Sequence, residues 1–386
     1  KGNKSLSKNF IKSFIGLEKG MRLQPSILDK SIADLYSLGY FKILYYEIHT
    51  LNQNEVNVIF HVEETQLRRF HMGLRWDNLY HMVGTANVQL TSDIFPGIRI
   101  EDQIQIAGIQ KNEFAISYPS RSLNFPIYPY LKIANSRYPF KHYSIQRFEG
   151  LYTYSSDEIR AGLGLFLKNY WNTEFEYLWK QAGLKTEEHL EYPISDEDNI
   201  NIYSSIRILA QLDLLDDVLM PSEGIFFKGT YENSRKELGS SQNYEFYQTW
   251  GKIYKTFHLN TYGISGYYHR STNKTPIHMT TIFEGSQVFA GTKEFQLHGS
   301  SVTFFRLDYS YKENKDLYAN FMLSWLMNAK SEDLNYSAEN LWGSGVGITF
   351  VTPAGPIKIM WSWGPQNIYI NKGNQSLFFL SAGYKF

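Results

Sequence analysis

From Gln66 to the carboxyl terminus, apolar and polar residues alternate along the chain with a period of two. In residues 199–213, for example, isoleucine, leucine and alanine alternate with asparagine, serine, arginine and glutamine. This period is typical of a β-strand with one face against lipid or a core and the other against water. Runs of the same kind predict sixteen strands, at 66–77, 82–93, 98–110, 112–121, 127–138, 145–155, 158–170, 199–213, 224–235, 243–258, 261–272, 300–312, 316–328, 341–352, 356–364 and 376–386.

The connections between these strands favour a membrane barrel. Some are compact, such as Ser155-Ser156-Asp157, whereas 171–198, 273–299 and 329–340 are long and polar. An even number of long strands, joined by a mixture of short turns and long loops, is typical of a bacterial outer-membrane barrel. We therefore predict a sixteen-stranded antiparallel transmembrane β-barrel over residues 65–386.

The last strand distinguishes this prediction from a soluble alternative. A large β-sandwich, soluble barrel or propeller would show the same alternation and turns. However, Phe378, Leu380, Tyr384 and Phe386 share one face of the last strand, and the chain ends on this aromatic row. An exposed soluble edge of this kind would promote aggregation. The row resembles the terminal strands of outer-membrane barrels, which the barrel assembly machinery recognises.

Residues 1–64 follow a different pattern and predict a separate small α/β domain. They contain apolar residues at helical spacing over 7–16 and 26–39, and alternation over 41–50 and 56–63. Ser26 and Asp29 form a capping box at the start of the second helix, and Gly39 ends it. Two helices and a hairpin are therefore expected before the barrel.

Composition narrows the range of functions. The chain has 38 basic and 38 acidic residues, so no positive excess is present to neutralise phosphates, and nucleic acid is not predicted as a partner. It has no cysteine, which excludes a thiol nucleophile or a disulfide. It also lacks the Gly-x-Ser-x-Gly and His-Glu-x-x-His motifs of hydrolases. We predict no catalytic residue, metal or cofactor in this chain.

The amino-terminal domain resembles a POTRA domain. The resemblance lies in Gly2-Asn3-Lys4, in Leu17-Glu18-Lys19-Gly20 and, most specifically, in the run from Asp34 to Phe41. POTRA domains lie in the periplasm before the barrels of the BamA superfamily, whose members assemble or transport other proteins across the outer membrane. The resemblance implies a Gram-negative outer-membrane protein with residues 1–64 in the periplasm.

Loop 273–299 carries a second resemblance to this superfamily. The residues Phe289-Ala290-Gly291-Thr292 stand where the superfamily has an inward-folding lumen loop with a Val-Arg-Gly-aromatic core. Ala290 replaces the arginine and Thr292 the aromatic residue, so the loop is more similar to that of the branch fused to patatin-like phospholipases. Arg306 and Asp308 share the polar face of the next strand and are the predicted anchors of the loop beneath Gly291.

Two further segments resemble the patatin-fused branch. Pro221–Gly224 followed by Leu238–Tyr244 is similar to its Phe-Pro-x-x-Gly and Leu-Gly-Ser-Asp-x-x-Tyr signature, and Thr352–Pro356 to its Thr-Pro-x-Gly-Pro turn. That branch also carries a single POTRA domain. The resemblance implies an outer-membrane anchor and translocator of type V secretion. Its patatin-like lipase domain would lie upstream of Lys1, and this chain would not itself be an enzyme.

The sequence leaves two alternative functions open and implies several partners. A BamA- or TamA-like insertase or a two-partner-secretion pore is the first alternative, and a soluble β-rich binding module is the second. The implied partners are outer-membrane lipid and lipopolysaccharide, the barrel assembly machinery, and the upstream lipase domain or another client polypeptide. A homo-oligomer is left open.

Overall fold

The described part of the chain forms a small α/β domain followed by a closed barrel. The computed structural model describes residues 1–4, 6, 8–37, 41–52, 55–64, 68–78, 80–91, 98–118, 127–143, 148–167, 170–187, 200–217, 220–272, 275–282, 285–331, 336–368 and 372–383. Within these ranges, no helix is both long enough and apolar enough to cross a membrane.

The amino-terminal domain packs two helices against a β-hairpin. Helices α1 (Lys8–Ser13) and α2 (Pro25–Ser37) precede the antiparallel strands β1 (Phe41–Thr50) and β2 (Val56–Glu64). The buried core is shared by Leu6, Ile11, Leu35, Phe41, Leu44 and Val62. Each element turns one apolar face inward, as its sequence period requires. The predicted small α/β domain with two helices and a hairpin is confirmed.

Sixteen antiparallel strands close into a barrel. They are β3 (Arg68–Asp77), β4 (His81–Thr91), β5 (Arg99–Ala107), β6 (Gln110–Ser117), β7 (Ile127–Tyr143), β8 (Phe148–Leu167), β9 (Trp171–Thr186), β10 (Ile200–Asp213), β11 (Gly224–Ser234), β12 (Tyr244–Phe257), β13 (Asn260–Ser271), β16 (Ser301–Lys312), β17 (Leu317–Ser331), β18 (Tyr336–Thr352), β19 (Gly355–Asn367) and β20 (Lys372–Gly383). Two-residue strands, β14 (Thr281–Ile282) and β15 (Leu297–His298), pair with each other between β13 and β16. The predicted sixteen-stranded barrel is confirmed.

The period-two alternation separates the two faces of the wall. On β20, Phe378 is 57% exposed, whereas its neighbour Phe379 is 3% exposed. On β9, Phe175 and Tyr177 are exposed on the outside, whereas Glu176 is buried on the inside. Apolar side chains thus cover the outside and polar ones line the lumen, which is the distribution that a hydrocarbon environment requires.

The predicted strand number is correct, but two predicted boundaries are wrong and compensate each other. The strands predicted at 145–155 and 158–170 form the single strand β8, and the predicted loop 171–198 contains β9. Ser156, in the predicted turn, pairs with Ser136 of β7 and Ala182 of β9. Ladder hydrogen bonds on both sides therefore override a local sequence preference for a turn.

Three tryptophans of the last strands lie on the outer face of the barrel. Trp342 lies inside β18, which begins at Tyr336, and Trp361 and Trp363 lie inside β19, which continues to Asn367. Trp342 is 56% and Trp361 53% exposed. Trp342 stacks on Trp325 at 5.5 Å between ring centroids.

Candidate functional site

The connection between β13 and β16 folds into the barrel lumen. Its described part contains the short helix α3 (Ile277–Thr280) and the paired strands β14 and β15. The predicted lumen-loop residues are enclosed, since Phe289 is 1%, Ala290 0% and Thr292 1% exposed. We call residues 285–299 the lumen loop from here on.

The lumen loop lies backbone to backbone against the barrel wall at two inward-facing glycines. A Cβ atom on Gly343 of β18 would lie 1.9 Å from the Ala290 carbonyl oxygen, and one on Gly364 of β19 would lie 2.7 Å from the same oxygen. Gly291 itself has a φ of +76°, and a Cβ atom there would lie 2.1 Å from the Gly364 nitrogen. No side chain fits between these backbones, so glycine is required on both sides.

Hydrogen bonds fix the loop to three of the last strands. The Ala290 N–H donates to Ser324 Oγ of β17 at 3.0 Å. Gln375 Nε2 of β20 donates to the Gly291 carbonyl at 2.8 Å and to Gln296 Oε1 at 3.0 Å. Gln296 Nε2 in turn donates to the Gln366 carbonyl of β19 at 2.8 Å. The loop therefore has a direct polar contact with the last strand of the barrel.

Arg306 of β16 contacts the beginning of the lumen loop. Its Nη1 donates to the carbonyl oxygens of Gln287 at 2.7 Å and Val288 at 3.3 Å, and its Nε lies 2.9 Å from Asp308 Oδ2. These contacts lie three to four residues before Gly291, the position beneath which they were expected. The wall supplies the arginine and the loop supplies carbonyl acceptors, so the loop needs no arginine of its own for this attachment.

The connection between β13 and β16 also packs on strands β7 and β8 through aromatic rings. Phe295 meets Phe140 of β7 edge to face, with 5.2 Å between ring centroids, and His278 lies 4.9 Å from the ring of Tyr154 of β8. Glu294 also lies 3.8 Å from the ammonium of Lys141. The loop region thus bridges the lumen, with directed hydrogen bonds on one side and mainly ring packing on the other.

The barrel closes through a short contact between its first and last strands. We call this contact the seam; in the part of the chain that the structure describes, it consists of the register pairs Asp77–Ser381, Trp76–Ala382 and Arg75–Gly383 between β3 and β20. Continuing the same register would place residues 372–380 of β20 beyond the end of β3 at Asp77. In contrast, every residue of β7 from Ile127 to Tyr143 has a partner in β8.

Two cavities beside the lumen loop connect it with the seam. Their volumes are about 410 and 890 Å³, and Arg75, Asp77 and Gln287 line both. Arg306 and Asp308 line the smaller one. The Arg75 Nε lies 2.9 Å from Asp77 Oδ2, so this pair and the Arg306–Asp308 pair leave neither charge isolated in the lumen.

The carboxy-terminal signal residues are described in part. Phe378 and Leu380 lie on the outer face of β20, with Phe378 largely exposed. Tyr384 and Phe386 lie outside the described residues. The assignment of these four residues as an assembly signal stays a prediction.

The POTRA hairpin carries a small cluster of titratable groups. His49 Nε2 and His61 Nε2 lie 3.2 and 3.1 Å from Glu47 Oε2. The hydrogen bond with His49, together with the His61 imidazole, lowers the pKa of Glu47 below its usual value. Among the described side chains, no three histidine or acidic groups form a set that could hold a metal ion.

Several residues of this site are missing from the sequence prediction. Ser324, Gln296 and Gln375 hydrogen-bond the loop, and Gly343 and Gly364 allow its close approach. The alternation of β20 places Gln375 on its inner face, and an inward glutamine on the closing strand is a signal that could have been used. Gly343 and Gly364 could not have been predicted in this way, because a glycine in a strand can also mark a bulge or a bend and does not by itself indicate a close backbone contact.

Comparisons with known proteins give the family. The family described as Omp85 superfamily domain matches residues 114–386, and the POTRA family described as surface antigen variable number repeat matches residues 1–65. No curated protein has significant sequence similarity to the chain.

Similar solved structures include proteins from three bacteria. The crystal structure of BamA from Haemophilus ducreyi lacking POTRA domains 1–3 has a TM-score of 0.73 at 11% identity and covers 99% of this chain and 82% of that chain. CdiB from Acinetobacter baumannii has a TM-score of 0.58 at 12% identity, covering 100% and 73%. CdiB from Escherichia coli has a TM-score of 0.60 at 10% identity, covering 98% and 74%.

The family match and the fold agree. The matched region, residues 114–386, is well over half of the chain and therefore establishes the family, whereas the solved structures support the fold alone. An outer-membrane family excludes the alternative of a soluble β-rich binding module. The chain belongs to the Omp85 superfamily of translocators and insertases, with its barrel in the outer membrane of a Gram-negative bacterium and its POTRA domain in the periplasm.

Proposed function

We propose that this protein inserts or translocates other polypeptides, and that a client chain engages the barrel at the seam. The observation that carries the proposal is that, among the residues described, three pairs join β3 to β20, and residues 372–380 of β20 extend beyond the end of β3 at Asp77. A strand edge without partners is costly in hydrocarbon, because no water is present to bond its N–H and C=O groups. An added client strand would supply those bonds.

The POTRA domain offers a second place for an extended client. The Lys1 backbone nitrogen donates to the Phe60 carbonyl at 2.6 Å, and the Val62 N–H donates to the Lys1 carbonyl at 2.9 Å. Lys1 therefore pairs along the edge of β2 as a residue of an extended segment would. In this proposal a client strand adds to the opposite edge, that of β1, on its way to the barrel.

The client is proposed to be a patatin-like lipase domain upstream of Lys1. The support is the similarity of Pro221–Gly224, Leu238–Tyr244 and Thr352–Pro356 to that branch. In this proposal the present chain performs no chemical step. A BamA- or TamA-like insertase or a two-partner-secretion pore uses the same seam and remains the alternative. The further partners proposed are lipid and lipopolysaccharide along the exposed outer face, the barrel assembly machinery during biogenesis, and a second copy of the chain.

A proteoliposome assay tests the general proposal. A fluorescently labelled, urea-unfolded copy of the chain serves as the client probe and is added to liposomes that contain the folded protein. Barrel formation is followed by the mobility shift of unheated samples on SDS gels, and translocation by protease protection. We expect either process to be several-fold faster than in protein-free liposomes and in liposomes that hold a fully paired barrel. No acceleration of either would contradict the proposal.

The identity of the client is tested separately. Intact mass and peptide sequencing of the native full-length protein would show the residues upstream of Lys1. A Gly-x-Ser-x-Gly elbow within a segment of roughly 300 residues would support the lipase translocator. Additional POTRA-like repeats in its place would favour the insertase or secretion pore.

A further inference from the structure

The seam ends where β3 turns into β4. Asp77 is the last residue of β3, and β4 begins at His81 after three connecting residues. The Asp77 side chain holds this turn, since its Oδ1 accepts the Tyr80 N–H at 2.8 Å while its Oδ2 lies near Arg75. The backbone of β3 therefore turns away from β20 at the point where the next register pair would form.

Asn78 occupies this missing position with its side chain. The Leu380 N–H donates to Asn78 Oδ1 at 3.0 Å, and Asn78 Nδ2 donates to the Phe378 carbonyl at 3.1 Å. Continuing the register that pairs Asp77 with Ser381 would set residue 78 opposite Leu380. The carboxamide thus bonds the edge of β20 at the position where a further residue of β3 would stand.

The carboxamide of Asn78 can replace a peptide unit at this position because it offers the same hydrogen-bonding groups. A peptide unit presents one N–H donor and one C=O acceptor, and a carboxamide presents the same two amide groups on separate atoms. A carboxylate at this position would keep the acceptor and lose the donor, and an apolar side chain of similar size would lose both.

We infer that Asn78 is a positioning residue that holds the seam closed by extending the β3–β20 ladder with its side chain. The inference rests on the proposed function, in which the seam is where a client engages. Without Asn78, the edge of β20 would be open from Leu380 towards Lys372. The side chain therefore sets how often the last strand is available to another polypeptide.

Hydrogen–deuterium exchange of the full chain in lipid nanodiscs tests the inference without any client. The Leu380 amide is compared in the native protein and in the Asn78→Leu, Asn78→Asp and Asn78→Gln variants. We expect exchange to be roughly thirtyfold faster in Asn78→Leu, as the loss of about two net hydrogen bonds implies. Asn78→Asp should be intermediate, and Asn78→Gln should retain part of the protection.

A matched control is Asn314→Leu, in the turn between β16 and β17. Asn314 Oδ1 accepts the N–H groups of Asp316 and Leu317, both at 3.0 Å, so this change removes comparable bonds far from the seam. It should leave Leu380 exchange unchanged. Native exchange in both Asn78→Leu and Asn78→Asp would overturn the role of Asn78. Faster exchange without faster client insertion in the proteoliposome assay would keep that role and contradict the proposed function.

Discussion

The two sides of the barrel differ in how completely their strands are paired. On one side, which we call the far wall, β7, β8 and β9 are 17, 20 and 16 residues long and pair continuously. On the other side, β3 and β20 are 10 and 12 residues long and share three pairs within the described ranges. Ladder hydrogen bonds stabilise a barrel in lipid, so the far wall is expected to stay closed, and the seam is the side at which the proposed function requires the barrel to open.

The lumen loop follows the same division. Its directed hydrogen bonds go to Ser324, Gln366 and Gln375 on the last strands before the seam. Its contacts with the far wall are largely aromatic packing, as between Phe295 and Phe140. Ring packing tolerates small displacements better than hydrogen bonds, whose strength depends on angle. Movement of the seam strands should therefore be transmitted to the loop.

The largest expected effect comes from locking the seam. The Trp76→Cys/Ala382→Cys pair, in a chain without native cysteine, joins register partners of β3 and β20 by a disulfide. If client strands enter at the seam, acceleration in the proteoliposome assay should fall to the protein-free rate and return after reduction.

The far wall provides the matched control for this experiment. Leu131 and Ala161 are register partners of β7 and β8, so Leu131→Cys/Ala161→Cys locks a pair that needs no opening. We expect native activity from this variant in both redox states. Equal activity of the two oxidised variants would contradict entry at the seam.

The second largest effect is expected from a substitution of Gly291 in the lumen loop. Gly291→Ala places a Cβ atom 2.1 Å from the Gly364 nitrogen at a φ of +76°. Because this contact is with backbone, the loop must undock, at a cost of about 2–3 kcal/mol from strain and overpacking. Trypsin cleavage after Lys293 should become roughly a hundredfold faster.

Gly251→Ala is the control for this glycine substitution. Gly251 lies inside β12, and a Cβ atom there meets nothing within 4 Å. The same added methyl group should therefore leave cleavage after Lys293 at the native rate. A native cleavage rate in Gly291→Ala would show that close backbone contact between Gly291 and Gly364 does not hold the lumen loop in place.

The sequence predicts the walls of this barrel better than its closure. Alternation depends on local residue order, so it correctly separates Phe378 from Phe379, and it places Arg306 on the lumen side before its partner is known. The seam joins the two ends of the barrel chain, and its register depends on where β3 stops. No local sequence pattern therefore predicts how β3 pairs with β20 or that the Asn78 side chain bonds the edge of β20.

Turn propensity is the other source of error. Ser155-Ser156-Asp157 has turn chemistry, yet it lies within β8 because both neighbouring strands pair with it. The strand β9 is missed for the opposite reason. Its sequence alternates Phe175 and Tyr177 with Glu174 and Glu176, but the charged residues make the segment look like a polar loop. Those glutamates form lumen contacts, such as the bond from Tyr130 Oη to Glu176 at 2.5 Å.

The third prediction concerns Arg306. Arg306→Lys keeps a positive charge beside Asp308 but cannot bond both the Gln287 and Val288 carbonyls in the same geometry. The loss of a charged hydrogen bond of about 1.5 kcal/mol should raise cleavage after Lys293 roughly tenfold. The control is Arg235→Lys, because Arg235 forms a partly buried ion pair with Glu245 outside the loop. Equal cleavage in both variants would exclude Arg306 as the anchor.

The smallest effect is the most informative about coupling between the loop and the seam. Gln375→Leu removes the hydrogen bonds from β20 to the Gly291 carbonyl and to Gln296. We expect cleavage after Lys293 to rise about fivefold, as for a net loss near 1 kcal/mol. Exchange of the Leu380 amide should rise in the same variant, because the closing strand loses its tie to the loop.

Gln248→Leu is the matched change for this prediction. Gln248 of β12 donates to Tyr267 Oη at 3.2 Å, within the lumen but away from the seam. It should alter neither cleavage nor Leu380 exchange. If Gln375→Leu loosens the loop and leaves Leu380 exchange at the native rate, the two sides of the barrel differ in pairing alone and the loop does not restrain the seam. If both rates rise together, the lumen loop and Asn78 restrain the same strand, and opening of the seam requires both contacts to break.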